Sequence, residues 1–173
     1  ILSEAKKLRF VARAGSGIEN IDYKFAKSKG IEVIHSPEGN SNAVGEHALG
    51  LLLSLYKRIS FSFNEVAEGK WERELNRNNE LAGKTVGIIG FGNTGSSFAK
   101  KLKGLDVNIL VYDKYKSNFE TNLIKETTIE DIKQNADVIS FHVPQTDETI
   151  NYADDAFFEE LSKPVILLNT SRG

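Results

Sequence analysis

Short apolar runs alternate with segments of helical spacing through most of the second half of the chain. The apolar runs, each predicted to be a strand, are Thr85–Ile89, Val107–Tyr112, Asp137–Phe141 and Val165–Leu168. The segments predicted to be helices are Thr94–Lys103, a stretch from Thr127 to about Asn135, and Ala153–Leu161. Strands that alternate with helices indicate a parallel sheet covered on both faces. The predicted fold class is therefore α/β, with a doubly wound parallel sheet.

The N-terminal part predicts a smaller unit of its own. Leu8–Ala12 is interpreted as a buried strand, Ile21–Lys29 as a short amphipathic helix and Ile31–Ile34 as a second strand. A long helix is predicted over residues 41–59, with Ser41 or Asn42 as its N-cap, and another helix is predicted over Phe61–Gly69. Apolar residues cover so much of this helix that we expect it to be buried between layers or in a subunit contact.

Composition narrows the function classes. The chain has 173 residues, 40% of them hydrophobic and 27% charged, which is typical of a soluble globular protein. Its net charge of −2 gives no basic excess for a nucleic-acid partner, and its longest apolar segment, Ala48–Tyr56, is too short to span a membrane. Because cysteine is absent, disulfides, thiolate metal sites and cysteine nucleophiles are excluded. We expect a cytoplasmic protein with no bound metal.

The stretch GIIGFGNTG, residues 87–95, carries three glycines at G-x-G-x-x-G spacing directly after a predicted strand. Gly90 would permit the tight turn, Gly92 would let a pyrophosphate approach the backbone, and Gly95 would let the helix pack against the strand. The N–H groups around Asn93 and Thr94 would then face the phosphates. The alternative is a glycine turn that binds no ligand.

An acidic residue ends the next strand. Asp113 lies 18 positions beyond Gly95, about the spacing of a carboxylate that accepts hydrogen bonds from the adenosine ribose. A carboxylate there would repel a 2′-phosphate, so the predicted cofactor is NAD rather than NADP. The alternative for Asp113 is a surface charge at the end of a strand.

Polar clusters follow three other predicted strands, where ligands of an open α/β sheet bind. Arg172 could hold a carboxylate through two parallel hydrogen bonds and polarise a neighbouring carbonyl, or it could be a surface arginine. His142 is a candidate proton donor, or a loop histidine that only packs or contacts a cofactor. The clusters are Gly15-Ser16-Gly17, His142-Val143-Pro144 and Asn169-Thr170-Ser171-Arg172.

Six blocks in order resemble the NAD-dependent D-isomer-specific 2-hydroxyacid dehydrogenases, above all the D-3-phosphoglycerate dehydrogenase branch. They are RAGSGIENID, VGEHALGLLL, GKTVGIIGFGNTG, VYD, FHVPQTDET and LLNTSRG, and they span nearly the whole chain. The resemblance implies a Rossmann-type NAD-binding domain over residues 37–173 and a β-α-β edge of the substrate domain over residues 1–36. It also implies a homodimer contact through helix 41–59.

The resemblance implies a role for each site residue. Arg172 matches the family's catalytic arginine, and the backbone of Gly15, Ser16 and Gly17 matches the loop that binds the substrate carboxylate. His142 matches a position that contacts the cofactor, so the general acid/base is expected to be a later histidine, assisted by a glutamate. The remaining cofactor-binding positions are Gly90, Gly92, Asn93, Thr94, Gly95, Asp113, Val143, Pro144, Thr170 and Ser171.

The implied reaction is hydride transfer between nicotinamide and C2 of a small D-2-hydroxyacid or 2-oxoacid. D-3-phosphoglycerate, in serine biosynthesis, is the leading substrate. Glyoxylate or hydroxypyruvate reduction is the alternative within the family, and a non-catalytic NAD-sensing protein of the corepressor type is the alternative outside it. We expect the chain to be a fragment whose catalytic histidine and glutamate lie beyond Gly173. As such it should bind NAD weakly and not turn over.

Overall fold

The computed structural model describes residues 1–172 and divides after Asn42 into two units, the second beginning at Ala43. Gly173, the last residue of the LLNTSRG block, lies outside the described residues. The domain boundary expected between residues 36 and 37 stays a prediction.

The first unit contains one β-α-β motif, as expected. Strands β1 (Phe10–Arg13) and β2 (Glu32–His35) pair in parallel, with helix α1 (Tyr23–Ser28) between them. The prediction that the first strand is buried is wrong, since Phe10 is 55% exposed. Within the described part of this unit the buried apolar side chains are Ala26 and Ile31, too few to cover both faces of the sheet.

The two helices predicted over residues 41–59 and 61–69 are both present, with slightly different bounds. Helix α2 spans Ser41–Tyr56 and helix α3 spans Ile59–Ala67. Arg58 between them has a left-handed backbone, with φ of 50°, which no continuous right-handed helix can contain. The prediction that Ser41 or Asn42 is the N-cap is wrong, because Ser41 is already the first helical residue. Its hydroxyl donates a hydrogen bond to the Glu38 carbonyl.

The second unit is built on a five-stranded sheet in the order β5-β4-β3-β6-β7, with every neighbouring pair parallel. Its strands are β3 (Thr85–Ile89), β4 (Asn108–Tyr112), β5 (Ile124–Glu126), β6 (Val138–Phe141) and β7 (Ile166–Asn169). The strand order reverses between β3 and β6. In open α/β sheets a ligand crevice forms at such a reversal, beyond the carboxyl ends of the strands.

Helices cover both faces of this sheet, so the doubly wound α/β prediction is confirmed. They are α4 (Asn93–Lys101), α5 (Ile129–Asn135) and α6 (Asp155–Glu159). One apolar cluster joins α2 and α4 to the sheet through Leu52 and Phe98. A second cluster joins α5 and α6 to it through Ile132 and Phe157. In the described part of the chain, no helix has the length and apolar character that crossing a membrane requires.

Candidate functional site

The three glycines of the motif stand in different surroundings. Gly90 follows β3 with φ of 94°, and a Cβ there would lie 2.8 Å from the carbonyl oxygen of His142. A Cβ on Gly95 would overlap the Gly90 carbonyl oxygen and lie 3.1 Å from the Gly90 carbonyl carbon. Gly92 differs, because a Cβ there would meet nothing within 4 Å. The fold therefore needs Gly90 and Gly95, whereas it leaves open space above Gly92.

Helix α4 begins at Asn93, directly after the extended Gly92. Asn93 is exposed and Thr94 is half-buried, so the first turn of the helix is open to solvent. The positive end of the helix dipole and the N–H groups of this turn favour an anion there. A pyrophosphate fits this cradle, since no side chain at Gly92 obstructs it.

Asp113 fastens the loop after β4 to the glycine turn. Its Oδ2 accepts a hydrogen bond from Phe91 N at 2.6 Å, and its Oδ1 accepts from Tyr115 N and Lys116 N at 2.8 and 2.9 Å. Lys116 Nζ donates in return to the Phe91 carbonyl at 3.0 Å. A carboxylate offers about four acceptor positions, so one remains for a ribose hydroxyl. The strand-end position of Asp113 predicted a ribose ligand but gave no sign of this fastening role.

His142 is a buried, neutral side chain. Its Nε2 lies 2.9 Å from Ser140 Oγ, and its ring packs against Phe98 at 5.4 Å between centroids. Burial lowers the pKa of His142 from 6.5 to about 4. Such a group does not hold a proton near pH 7, which argues against the proton-donor interpretation. Ser140 was missed, although a hydroxyl in the otherwise apolar strand β6, two positions before His142, points to the same side of the sheet.

Two buried polar atoms mark the neighbouring strand ends. Phe141 pairs with Asn169, so His142 and Thr170 follow adjacent strands side by side. His142 Nδ1 and Thr170 Oγ1 have no hydrogen-bond partner among the described residues. Because buried polar atoms nearly always have one, a bound polar ligand fits this edge of the sheet.

Arg172 follows a short turn beyond β7. Asn169 Oδ1 accepts hydrogen bonds from Ser171 N and Ser171 Oγ at 2.9 and 2.7 Å, and this turn leaves Arg172 exposed. The arginine therefore lies on the carboxyl edge of the sheet, one strand beyond the loop that carries His142.

Val143 and Pro144 lie on the same edge. Val143 is half-buried and packs on the second apolar cluster, whereas Pro144 is exposed and its carbonyl accepts a hydrogen bond from the Thr149 hydroxyl. A cavity of about 210 Å³ opens beside Val143 and is also lined by Phe141 and Asn169. A larger cavity of about 820 Å³ includes Thr85 and Asn108, which begin β3 and β4, so it lies at the opposite edge. We assign no cofactor to it.

The Gly15-Ser16-Gly17 loop lies in the first unit and follows β1. Ser36 N donates to the Gly15 carbonyl at 3.0 Å, and His35 Nδ1 donates to the Ser16 carbonyl at 2.8 Å. The Glu19 carboxylate lies against Gly17, so close that a Cβ on that glycine would clash with it. The loop is thus held through its backbone carbonyls by one backbone N–H and one side chain, and its expected role toward a substrate carboxylate stays a prediction.

Known proteins share this architecture and much of this sequence. A D-3-phosphoglycerate dehydrogenase of Archaeoglobus fulgidus is 39% identical over the whole chain, which covers 33% of that protein. A hydroxypyruvate reductase of Thermotoga maritima is 37% identical over the whole chain, which covers 56% of it. The NAD complex of an NAD-dependent formate dehydrogenase from Staphylococcus aureus superposes with a TM-score of 0.89 at 30% identity, over 99% of this chain and 52% of that one.

The chain thus spans between a third and about half of the length of these proteins. Residues 49–173 match the family described as D-isomer specific 2-hydroxyacid dehydrogenase, NAD binding domain. The glycine cradle, the strand-end aspartate and the unpartnered buried atoms fit that cofactor at the carboxyl edge of the sheet. The chain therefore belongs to the D-isomer-specific 2-hydroxyacid dehydrogenase family, of which it carries the NAD-binding domain.

Proposed function

We propose that the protein containing this chain is an NAD-dependent oxidoreductase acting on C2 of a D-2-hydroxyacid or 2-oxoacid. The observation that carries the proposal is the exposed Arg172 at the carboxyl end of β7, beside the strand ends where the cofactor fits. A guanidinium at that position can bind the carboxylate that every such substrate carries. Since the chain lacks cysteine, we also propose that the protein works in the reducing cytoplasm.

Each group in the chain has a proposed task. When bound, NAD supplies the chemistry of hydride transfer. Arg172 holds the substrate carboxylate and polarises its carbonyl. For the N–H groups of Gly15, Ser16 and Gly17 a part in substrate binding is proposed from the family resemblance alone. His142 does not move the proton, because its pKa of about 4 keeps it neutral. That task falls to a histidine and glutamate pair proposed to follow Arg172 in the full-length protein.

The substrate we favour is D-3-phosphoglycerate, which would place the protein in serine biosynthesis. The relative from Archaeoglobus fulgidus supports this choice. Reduction of hydroxypyruvate or glyoxylate is the second candidate, favoured by the almost equal identity to the hydroxypyruvate reductase of Thermotoga maritima.

The test uses the full-length protein and a panel of oxoacids. NADH oxidation is followed with 3-phosphohydroxypyruvate, hydroxypyruvate, glyoxylate and pyruvate. Arg172→Gln should lower kcat/KM about a hundredfold, equivalent to about 2.7 kcal/mol, while the Kd for NADH changes less than twofold. Arg172→Lys, which keeps the charge but not the paired hydrogen bonds, should recover only part of the loss. Full activity in Arg172→Gln, or no oxidation with any of the four acids, would rule the proposal out.

We also propose a homodimer through α2 and α3. The two helices leave six large apolar side chains exposed, a high number for so short a segment of surface that stays in water. These residues are Leu51, Leu55, Ile59, Phe61, Phe63 and Val66. Sedimentation of the full-length protein should give a dimer, and Leu55→Lys should weaken it at least tenfold. The matched control is Leu123→Lys, a similarly exposed leucine before β5, which should leave the dimer intact. A monomeric wild-type protein would disprove this contact.

A further inference from the structure

Three side chains join the loop after β4 to the loop after β6. Glu148 Oε2 accepts a hydrogen bond from Lys114 Nζ and another from the Tyr115 hydroxyl, both at 2.6 Å. Lys114 also lies over the Tyr115 ring, at 5.5 Å from its centroid. We refer to Lys114, Tyr115 and Glu148 as the loop bridge.

The position of the loop bridge follows from the sheet order. Strands β4 and β6 flank β3 on either side, so a link between the loops that follow them spans the carboxyl edge at β3. The glycine turn begins at that edge, and the crevice for a dinucleotide lies beyond it. Lys114 and Tyr115 directly follow Asp113, the proposed ribose ligand. The bridge therefore lies at the adenosine end of the crevice.

Both ends of the loop bridge are anchored. Asp113 Oδ1 holds the backbone N–H of Tyr115, and Asp113 Oδ2 ties the same loop to Phe91 in the glycine turn. On the other side, the Thr149 hydroxyl donates to the Pro144 carbonyl and closes the loop that carries Glu148. A contact between the two anchored loops fixes the distance between them.

Within the loop bridge, Lys114 and Glu148 form an ion pair at neutral pH. The hydrogen bond from Lys114 lowers the pKa of Glu148, and the same bond raises the pKa of Lys114. All three side chains are exposed, and exposed ion pairs add little to folding stability. Their contribution is expected in binding, where fixing two loops in advance reduces the ordering that a ligand must impose.

We propose that the loop bridge sets the separation of the two loops that enclose the adenosine half of NAD, which makes Glu148 a positioning residue for the cofactor. This inference concerns NAD alone and holds for any choice of acid substrate. It assigns a role to three residues that lie outside the glycine turn and the strand-end aspartate.

The test measures Kd values of the full-length protein for NAD and for ADP-ribose, which lacks the nicotinamide. Glu148→Gln should weaken both by the same factor, three- to tenfold, with an unchanged melting temperature and an unchanged kcat. In 1 M salt the wild-type protein should approach the variant, because salt screens an exposed ion pair. Lys114→Gln should have a similar effect, and the double variant should be no weaker than either single one.

The control is Asp147→Asn, which removes an exposed carboxylate from the same loop outside the bridge. It should leave both Kd values within twofold of wild type. The proposal is overturned if Glu148→Gln binds NAD as tightly as the wild type, or if only NAD and not ADP-ribose is weakened. An equal effect of Asp147→Asn would also overturn it, since loop charge rather than the bridge would then be responsible.

Discussion

Gly95→Ala should destabilise the unit that begins at Ala43 by about 3 kcal/mol or more. The new Cβ would overlap the Gly90 carbonyl oxygen and lie 3.3 Å from the His142 Cβ. The first obstacle is backbone, which has no rotamer to move aside, so α4 would have to shift away from the sheet. Overpacking of this kind exceeds the roughly 1 kcal/mol that alanine contributes over glycine inside a helix. Urea unfolding at equilibrium measures the difference.

Gly92→Ala is the matched control within the same turn. A Cβ at Gly92 meets nothing within 4 Å, and its φ of −77° suits alanine. The free energy of unfolding should fall by less than about 1 kcal/mol, the amount by which alanine is a poorer N-cap than glycine. Equal stability losses in the two variants would mean that the close packing of Gly95 is misassigned.

Stability should fall as the pH is lowered from 7 to 4.5, by about 2 kcal/mol through His142 alone. Its pKa is lowered from 6.5 to about 4 by burial, so the unfolded chain binds the proton more readily than the folded one. The contribution of His142 is therefore fully present above pH 6.5 and is lost as the pH falls toward 4. Urea unfolding at both pH values measures it.

His142→Asn separates this effect from the titration of carboxylates. The variant should be less stable at pH 7, because the packing against Phe98 is lost, but its stability should fall less between the two pH values. Identical pH dependence in the variant and the wild type would show that His142 is not the titrating group. NAD binds the folded protein only, so adding it at pH 7 should raise the free energy of unfolding of the wild-type protein.

The sheet was predictable because short apolar runs alternate regularly with segments of helical spacing. Strand β3 was predicted with its observed bounds, Thr85–Ile89, because its last four residues are buried and leave a continuous apolar run. Strand β5 was missed, since it has three residues of which only Ile124 is buried. Edge strands with so few buried positions leave no pattern in the sequence.

The break between α2 and α3 was predicted two residues too late, and its left-handed residue was not predicted at all. Arg58 carries no glycine-like or proline-like signal, yet it adopts positive φ. Its side chain donates to Asn76 Oδ1 at 3.3 Å and lies 4.8 Å from the Phe61 ring centroid. The turn at Arg58 is thus accompanied by a contact with a residue 18 positions away, which local sequence does not reveal.

The candidate site was likewise predictable from the sequence only in part. The glycine turn and Asp113 were found because backbone geometry and strand ends constrain residue type. The Phe91–Asp113 hydrogen bond and the pairing of Glu148 with Lys114 were not found, since they join residues 22 and 34 positions apart. A lone glutamate in a polar loop has no local feature that distinguishes it from a solvated surface charge.

The central claim, that the cofactor's pyrophosphate lies over Gly92, is tested most directly by an NAD titration of the Gly92→Ala variant. Isothermal calorimetry would compare it with the wild type after urea unfolding has established that both are folded. We predict that the Kd for NAD rises at least tenfold, because the new methyl group occupies the open space into which the phosphates fit. Unchanged NAD affinity in the folded variant would contradict the claim.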